Sequence, residues 1–208
     1  MKLTAEYGRK IRKEYSEVKE NEVCVQLGLK QLGGSKTKID GINEQSRVSI
    51  KNFKSSSTQV HLTTKKQFKK ILGLDNNSEK FIEMFCGDQD VKYKNRDRYF
   101  TNEIDSIYVN SFLNFLNNNK IKIIDLMIRN GFDITNIAYM DLNTNTLYNI
   151  KYEDLLIKID ECVWVAKKGG IHLKNKDNKT YFHIQREGKK NKNNRYNVLC
   201  HIHRNLFI

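Results

Sequence analysis

Two blocks of period-two alternation enclose a long stretch of helical periodicity, and this arrangement restricts the fold more than any other feature of the chain. Lys38-Ile39-Asp40-Gly41-Ile42 and Arg47-Val48-Ser49-Ile50-Lys51 read as two short strands joined by a polar turn. Thr58-Gln59-Val60-His61-Leu62 extends that alternation, and Tyr181-Phe182-His183-Ile184-Gln185 and Asn197-Val198-Leu199-Cys200-His201-Ile202 read as final strands around a basic loop. Between Thr64 and Gly131 the period changes. Ile104, Ile107, Tyr108, Phe112, Phe115 and Leu116 form one helical stripe, and Ile121, Ile124, Leu126, Met127 and Ile128 form a second, stopped by Asn130-Gly131. Asn136 to Ile150 alternates again around Asn143-Thr144-Asn145, which predicts a hairpin. Thr4 to Lys19 reads as an opening helix with Ile11, Tyr15 and Val18 at helical spacing, whereas Cys24 within Val23-Cys24-Val25 and Trp164 within Cys162-Val163-Trp164-Val165 read as buried strand positions. The expectation is an α/β chain with a mixed central sheet flanked by helices. It forms a single domain over 1–208, with a helical insert at about 64–131.

Charge narrows the partner. The chain carries 37 Lys+Arg against 24 Asp+Glu, a formal net charge of +13. An excess of that size favours a polyanion, because each neutralised phosphate releases counterions. No apolar run is long enough to span a bilayer, and the start, MKLTAEYGRKIRKEY, is charged without an apolar stretch, so no membrane association and cytoplasmic residence are expected. The four cysteines are scattered with no CxxC pair, which argues against a disulfide framework. Cys200-His201-x-His203 has no second ligand pair at structural-zinc spacing. P-loop, GxSxG, HExxH and GxGxxG patterns are absent, leaving nucleotide hydrolysis, serine esterase chemistry and dinucleotide redox without support.

The chemistry-bearing residues cluster in Lys36 to Asn52. On a strand Val48 and Ile50 point one way, into a core, and Ser49 and Lys51 point the other. Asp40, across the short hairpin, projects to the same side as Lys51. One carboxylate can hold a divalent cation through hard oxygens, with the Ile50 carbonyl as a second ligand. Lys51 can orient or deprotonate an attacking water or stabilise a pentavalent phosphorus. Ser49 is a weaker ligand than an acid but can position water. Read without that chemistry, the segment is a surface hairpin with solvated polar residues.

Gly33-Gly34-Ser35-Lys36-Thr37-Lys38-Ile39-Asp40 followed by Val48-Ser49-Ile50-Lys51-Asn52 resembles the active-site hairpin of small type II restriction endonucleases of the PD-(D/E)XK fold, the MspI and HinP-type four-base cutters. Phe182-His183-Ile184-Gln185-Arg186-Glu187-Gly188-Lys189-Lys190 and Asn197-Val198-Leu199-Cys200-His201-Ile202 resemble that group's terminal strand pair. Lys70-Ile71-Leu72-Gly73, Asn95-Arg96-Asp97-Arg98-Tyr99-Phe100 and Ile123 to Gly131 follow in the same order. The resemblance implies a Mg²⁺-dependent, sequence-specific hydrolysis of double-stranded DNA that leaves 5′-phosphate ends. It makes Asp40 a metal ligand, Lys51 the catalytic lysine and Ser49 the occupant of a degenerate acid position. A carboxylate from the first helix is expected as well, with Glu14 favoured over Glu6 and Glu17.

The C-terminal strands, about 180–204, become the DNA-recognition element, with Gln185 and Arg186 facing the major groove and Lys189, Lys190, Lys192 and Arg195 tracking phosphates. Lys54 and Gln59, beside the hairpin, are further candidate DNA contacts. The resemblance also implies a monomer or weak dimer and a cognate DNA methyltransferase encoded nearby. The alternative is a decayed nuclease that binds DNA without cutting it, which Ser49 keeps open.

Overall fold

The computed structural model describes residues 5–32, 37–53, 55–87, 98–187 and 197–208, and the side chains of the first helix from residue 15 onward. Gly33 to Lys36, Lys54, Asn95 to Asp97, Lys189, Lys190, Lys192 and Arg195 lie outside the described residues, as does the Glu14 side chain.

The chain is mixed α/β, but its strands form two five-stranded sheets rather than one central sheet. The first sheet orders β1 (Lys30–Gln31), β2 (Gly41–Ile42), β3 (Arg47–Phe53), β5 (Asn136–Asp141) and β6 (Thr146–Lys151). β3 pairs parallel with β5, Lys51 opposite Tyr139, while the other pairs are antiparallel. The second sheet orders β4 (Ser57–Thr64), β10 (Asn197–His203), β9 (Thr180–Arg186), β8 (Gly170–Lys174) and β7 (Val163–Lys167), all antiparallel. The consecutive strands β3 and β4 thus belong to different sheets.

Helix α1 (Ala5–Gln26) covers one face of the first sheet. Val23 and Cys24 pack there on Val48, Ile50, Ala138 and Met140. The helix runs a full turn and more beyond Lys19, so Val23-Cys24-Val25 is helical and not a strand. Burial under a sheet, worth on the order of 1.5–3 kcal/mol per large apolar side chain, outweighs the weak preference of valine against helix. Tyr15 and Val18, at helical spacing in the sequence, are exposed.

Between β4 and β5 lie α2 (Lys65–Leu72), α3 (Asn76–Cys86), α4 (Ser106–Asn118) and α5 (Lys120–Ile128), and α6 (Tyr152–Asp160) follows β6. Thr64 caps α2 by accepting from the Gln67 amide, and Asp75 caps α3 by accepting from Asn77 and Ser78. Asn130 and Gly131 take φ of 48° and 87°, the left-handed turn that ends α5. The main core lies between the first sheet, these helices and the inner face of the second sheet. It joins Phe53, Phe68, Phe81, Phe112, Trp164, Phe182 and Ile184 in one cluster. Among the described residues no helix is long and apolar enough to cross a membrane.

Candidate active site

Asp40 precedes β2 and is tied down by its own backbone. Its N–H donates to the Val48 carbonyl at 2.8 Å and its carbonyl accepts from Leu32 at 2.9 Å. The strand expected from Lys38 is therefore shorter, Gly41–Ile42 only, but the hydrogen bonds still hold Asp40 against β3. Asp40 Oδ2 accepts from the Ile50 amide at 2.6 Å and the Ser49 hydroxyl at 3.4 Å, and the Lys51 ammonium stands 3.6 Å from it. Lys51 Nζ also donates to the Ile50 carbonyl at 3.0 Å. The aspartate, serine, lysine and main-chain carbonyl singled out in the sequence thus meet at one point. Val48 and Ile50 are buried under α1 as their alternation requires, but Ser49 is buried too, at 1% exposure.

A second carboxylate, one the sequence reading missed, is coupled to the site electrostatically. Glu20 of α1 is half-buried. Burial raises its carboxyl above the ordinary value, the charge on Asp40 raises it further, and the Ser16 hydroxyl and Lys51 oppose the rise. Glu20 lies one turn before Cys24, whose thiol rests 3.9 Å from the Asp40 carbonyl. With the helix expected to end at Lys19, this position fell outside it. Had the helix been continued, the step of four from buried Cys24 would have picked out Glu20. Glu17 is exposed, its carbonyl accepting from Gln31.

Lys38 supports the hairpin from below. Its ammonium donates to the carbonyls of Val60 at 3.1 Å and Met127 at 2.7 Å and lies 3.4 Å from His61 Nδ1. Burial, with Lys51 adding repulsion, lowers it to about 8. The contact ties the Asp40 loop to β4 and to the end of α5.

The candidate DNA contacts divide. Gln59 is exposed on the outer face of the second sheet, and Gln185 lies half-exposed on the same face. Arg186 does not share that face. Alternation turns it inward with Phe182 and Ile184, where its guanidinium donates to the carbonyls of Phe85 (3.0 Å) and Tyr99 and lies over the Phe85 and Phe100 rings. Within the helical region, Lys65 and Lys69 pair with Glu83, and Lys69 also with Glu79. Cys200 faces the core whereas His201 and His203 face outward, so the three cannot share one ion.

Among the described residues no group of three or more His, Cys, Asp and Glu is placed to hold a metal ion. The oxygens gathered here are those of Asp40 and the Ile50 carbonyl, with the Glu20 carboxylate near enough for the Asp40 charge to act on it. All are hard oxygens, a set that suits a cation which keeps several of its waters. Asp40 Oδ1 has no hydrogen-bond partner among the described residues. No family model matches the chain. No curated protein matches it in sequence.

Proposed function

We propose that this chain is a DNA endonuclease of the PD-(D/E)XK class, a type II restriction enzyme acting on double-stranded DNA in the cytoplasm. The observation that carries the reading is the meeting of Asp40 and Lys51, 3.6 Å apart, around the Ile50 peptide on a strand paired parallel with β5. A mixed sheet with α1 on one face and the main core on the other agrees with that class. The excess of 13 positive charges agrees with a polyanionic substrate.

Asp40, Glu20 and the Ile50 carbonyl would hold Mg²⁺. When bound, the ion supplies charge neutralisation at the phosphate and a lowered pKa for water. The protein's own groups do the rest. The Ile50 amide and Ser49 hydroxyl fix the Asp40 carboxylate in one rotamer. Lys51, held between that carboxylate and the Ile50 carbonyl, can orient the attacking water and donate to a phosphate oxygen as charge builds on it. The products are a 5′-phosphate and a 3′-hydroxyl.

The test is incubation of plasmid DNA with the purified protein and Mg²⁺. Discrete fragments are expected from the native chain, and binding without cutting from Asp40→Ala and Lys51→Ala. Normal cutting by either variant overturns the site. Ser49 in place of a third acid favours the second reading, a nuclease fold that only binds DNA; a mobility shift with intact plasmid would establish it.

A further inference from the structure

All five histidines of the chain lie in the second sheet: His61 on β4, His172 on β8, His183 on β9, and His201 and His203 on β10. None of its five strands contains an Asp or Glu. Four of the histidines share the outer face, the one opposite Trp164, Leu173, Phe182 and Cys200. The Cα partners across the strands run His172, His183, His201 and Gln59. The rings stack along this row, His172 on His183 at 5.2 Å and 17°, His183 on His201 at 4.4 Å and 13°. His183 Nδ1 is 2.7 Å from His203 Nε2.

Three uses of such a row differ in geometry. A metal site needs nitrogens converging on one point, and stacked parallel rings aim theirs side by side. A stacking platform for single strands needs free ring faces, and here the faces cover one another. What remains partly exposed is His201 and His203 on β10, whereas His183 is buried, and amides lie beside the row: Gln59 directly opposite His201, and Gln185 two residues along from His183. Ring edges and amides hydrogen-bond to base edges.

Size selects which part of the face can do so. Five strands at a spacing of about 4.8 Å span about 19 Å, more than the roughly 12 Å of a major groove. Two strands fit. The edge pair β4–β10 carries Gln59 and Ser57 opposite His201 and His203. It also adjoins the active-site loop, because Lys38, two residues before Asp40, holds the carbonyl of Val60. Lys167 and Lys174, on the same face toward the far edge, suit phosphates.

We infer that Gln59, His201 and His203 on the β4–β10 ribbon read base edges of duplex DNA, with His183 as the positioning residue that fixes both β10 imidazoles. This rests on the nuclease reading for its substrate. The test uses the Asp40→Ala protein without divalent metal, so that binding is measured apart from cutting. Its sequence preference is determined by selecting bound duplexes from a random library, and its affinity is followed against salt. Gln59→Ala, an exposed change that leaves the fold alone, and His201→Ala, with folding checked by circular dichroism, are each expected to weaken the selected site about tenfold or more with an unchanged salt slope. Lys174→Ala is expected to weaken all duplexes alike and reduce the slope. Unchanged preference and affinity in both Gln59→Ala and His201→Ala overturn the inference while leaving the nuclease reading intact. So does tighter binding of single-stranded DNA or RNA than of any duplex. Cutting by Asp40→Ala in Mg²⁺ refutes the proposed active site, and the binding results still decide the ribbon.

Discussion

Lowering the pH from about 8 to about 5 should cost this protein about 4 kcal/mol of stability, and two histidines set the figure. His183 and His61 are each 8% exposed. Burial is the main cause that lowers them to about 3 and about 4, from an ordinary 6.5. His183 is faced by His172, His201, His203 and Gln185, and His61 by Lys38; the five strands offer no carboxylate to accept the new charge. An unfolded histidine takes up its proton near pH 6.5, whereas the folded ones resist until pH 3 to 4. The unfolded state therefore binds more protons throughout that window. Stability is complete above it and falls as the pH drops through it. At pH 5 each group forfeits about 2 kcal/mol, against a typical total of about 5–15 kcal/mol. His203 is left out of the sum, since it shares a hydrogen bond with His183 and the two titrate as a pair. The assay is urea unfolding at both pH values, followed by the fluorescence of Trp164, the single tryptophan and 1% exposed. His183→Phe, which keeps a flat ring in the row, should remove roughly half of the dependence. A native chain whose unfolding free energy changes by less than about 1 kcal/mol between the two conditions would refute the reasoning.

Glu20→Gln should leave folding intact and raise the Mg²⁺ concentration for half-maximal cleavage about tenfold, read from a metal titration of plasmid cutting. Gly41→Ala places a Cβ 2.8 Å from Cys24 Sγ and 3.0 Å from Leu29 Cδ1. A loss of about 1–3 kcal/mol is expected in thermal unfolding, with partial recovery when Cys24→Ala is added. Arg186→Ala should destabilise the fold by about 1–3 kcal/mol, because the carbonyls of Phe85 and Tyr99 lose their donor. Gln185→Ala should leave the melting temperature unchanged.

The legible parts of the fold were those set by local pattern. Val48 and Ile50 against Lys51, the β5–β6 hairpin and the stop of α5 at Asn130-Gly131 all follow from periodicity and left-handed turn residues. Alternation also contained the answer for Arg186. With Phe182 and Ile184 in the core, a residue two further on must turn inward, and Gln185 alone could face out. Partner choice was not legible. That β3 takes β5 as a parallel neighbour while β4, four residues later, joins β10 depends on contacts between segments far apart in the chain. The same holds for α1, whose valines carry a strand-like signal until the sheet beneath them is known. Glu20 went unseen for that reason alone.

Lys38 links the second sheet to the candidate site. A cation withdrawn from water costs several kcal/mol unless its donors are met. This one meets a carbonyl of β4, a carbonyl at the end of α5 and a ring nitrogen of His61. Accepting at Nδ1 puts the His61 proton on Nε2, which is buried with no partner, so the imidazole stays neutral and the ammonium keeps its acceptor. Lys38 thus adds a hydrogen-bonded link between the acid-free sheet and the loop of Asp40, beside the packing of Ile39 on the shared core. Movement of the β4–β10 ribbon on a bound duplex would be carried to Asp40 over two residues of backbone. On the proposed nuclease reading, a change in this ribbon would alter the rate of cutting as well as the affinity. Replacement of Lys38 by Met, which fills the space but donates nothing, should uncouple the two.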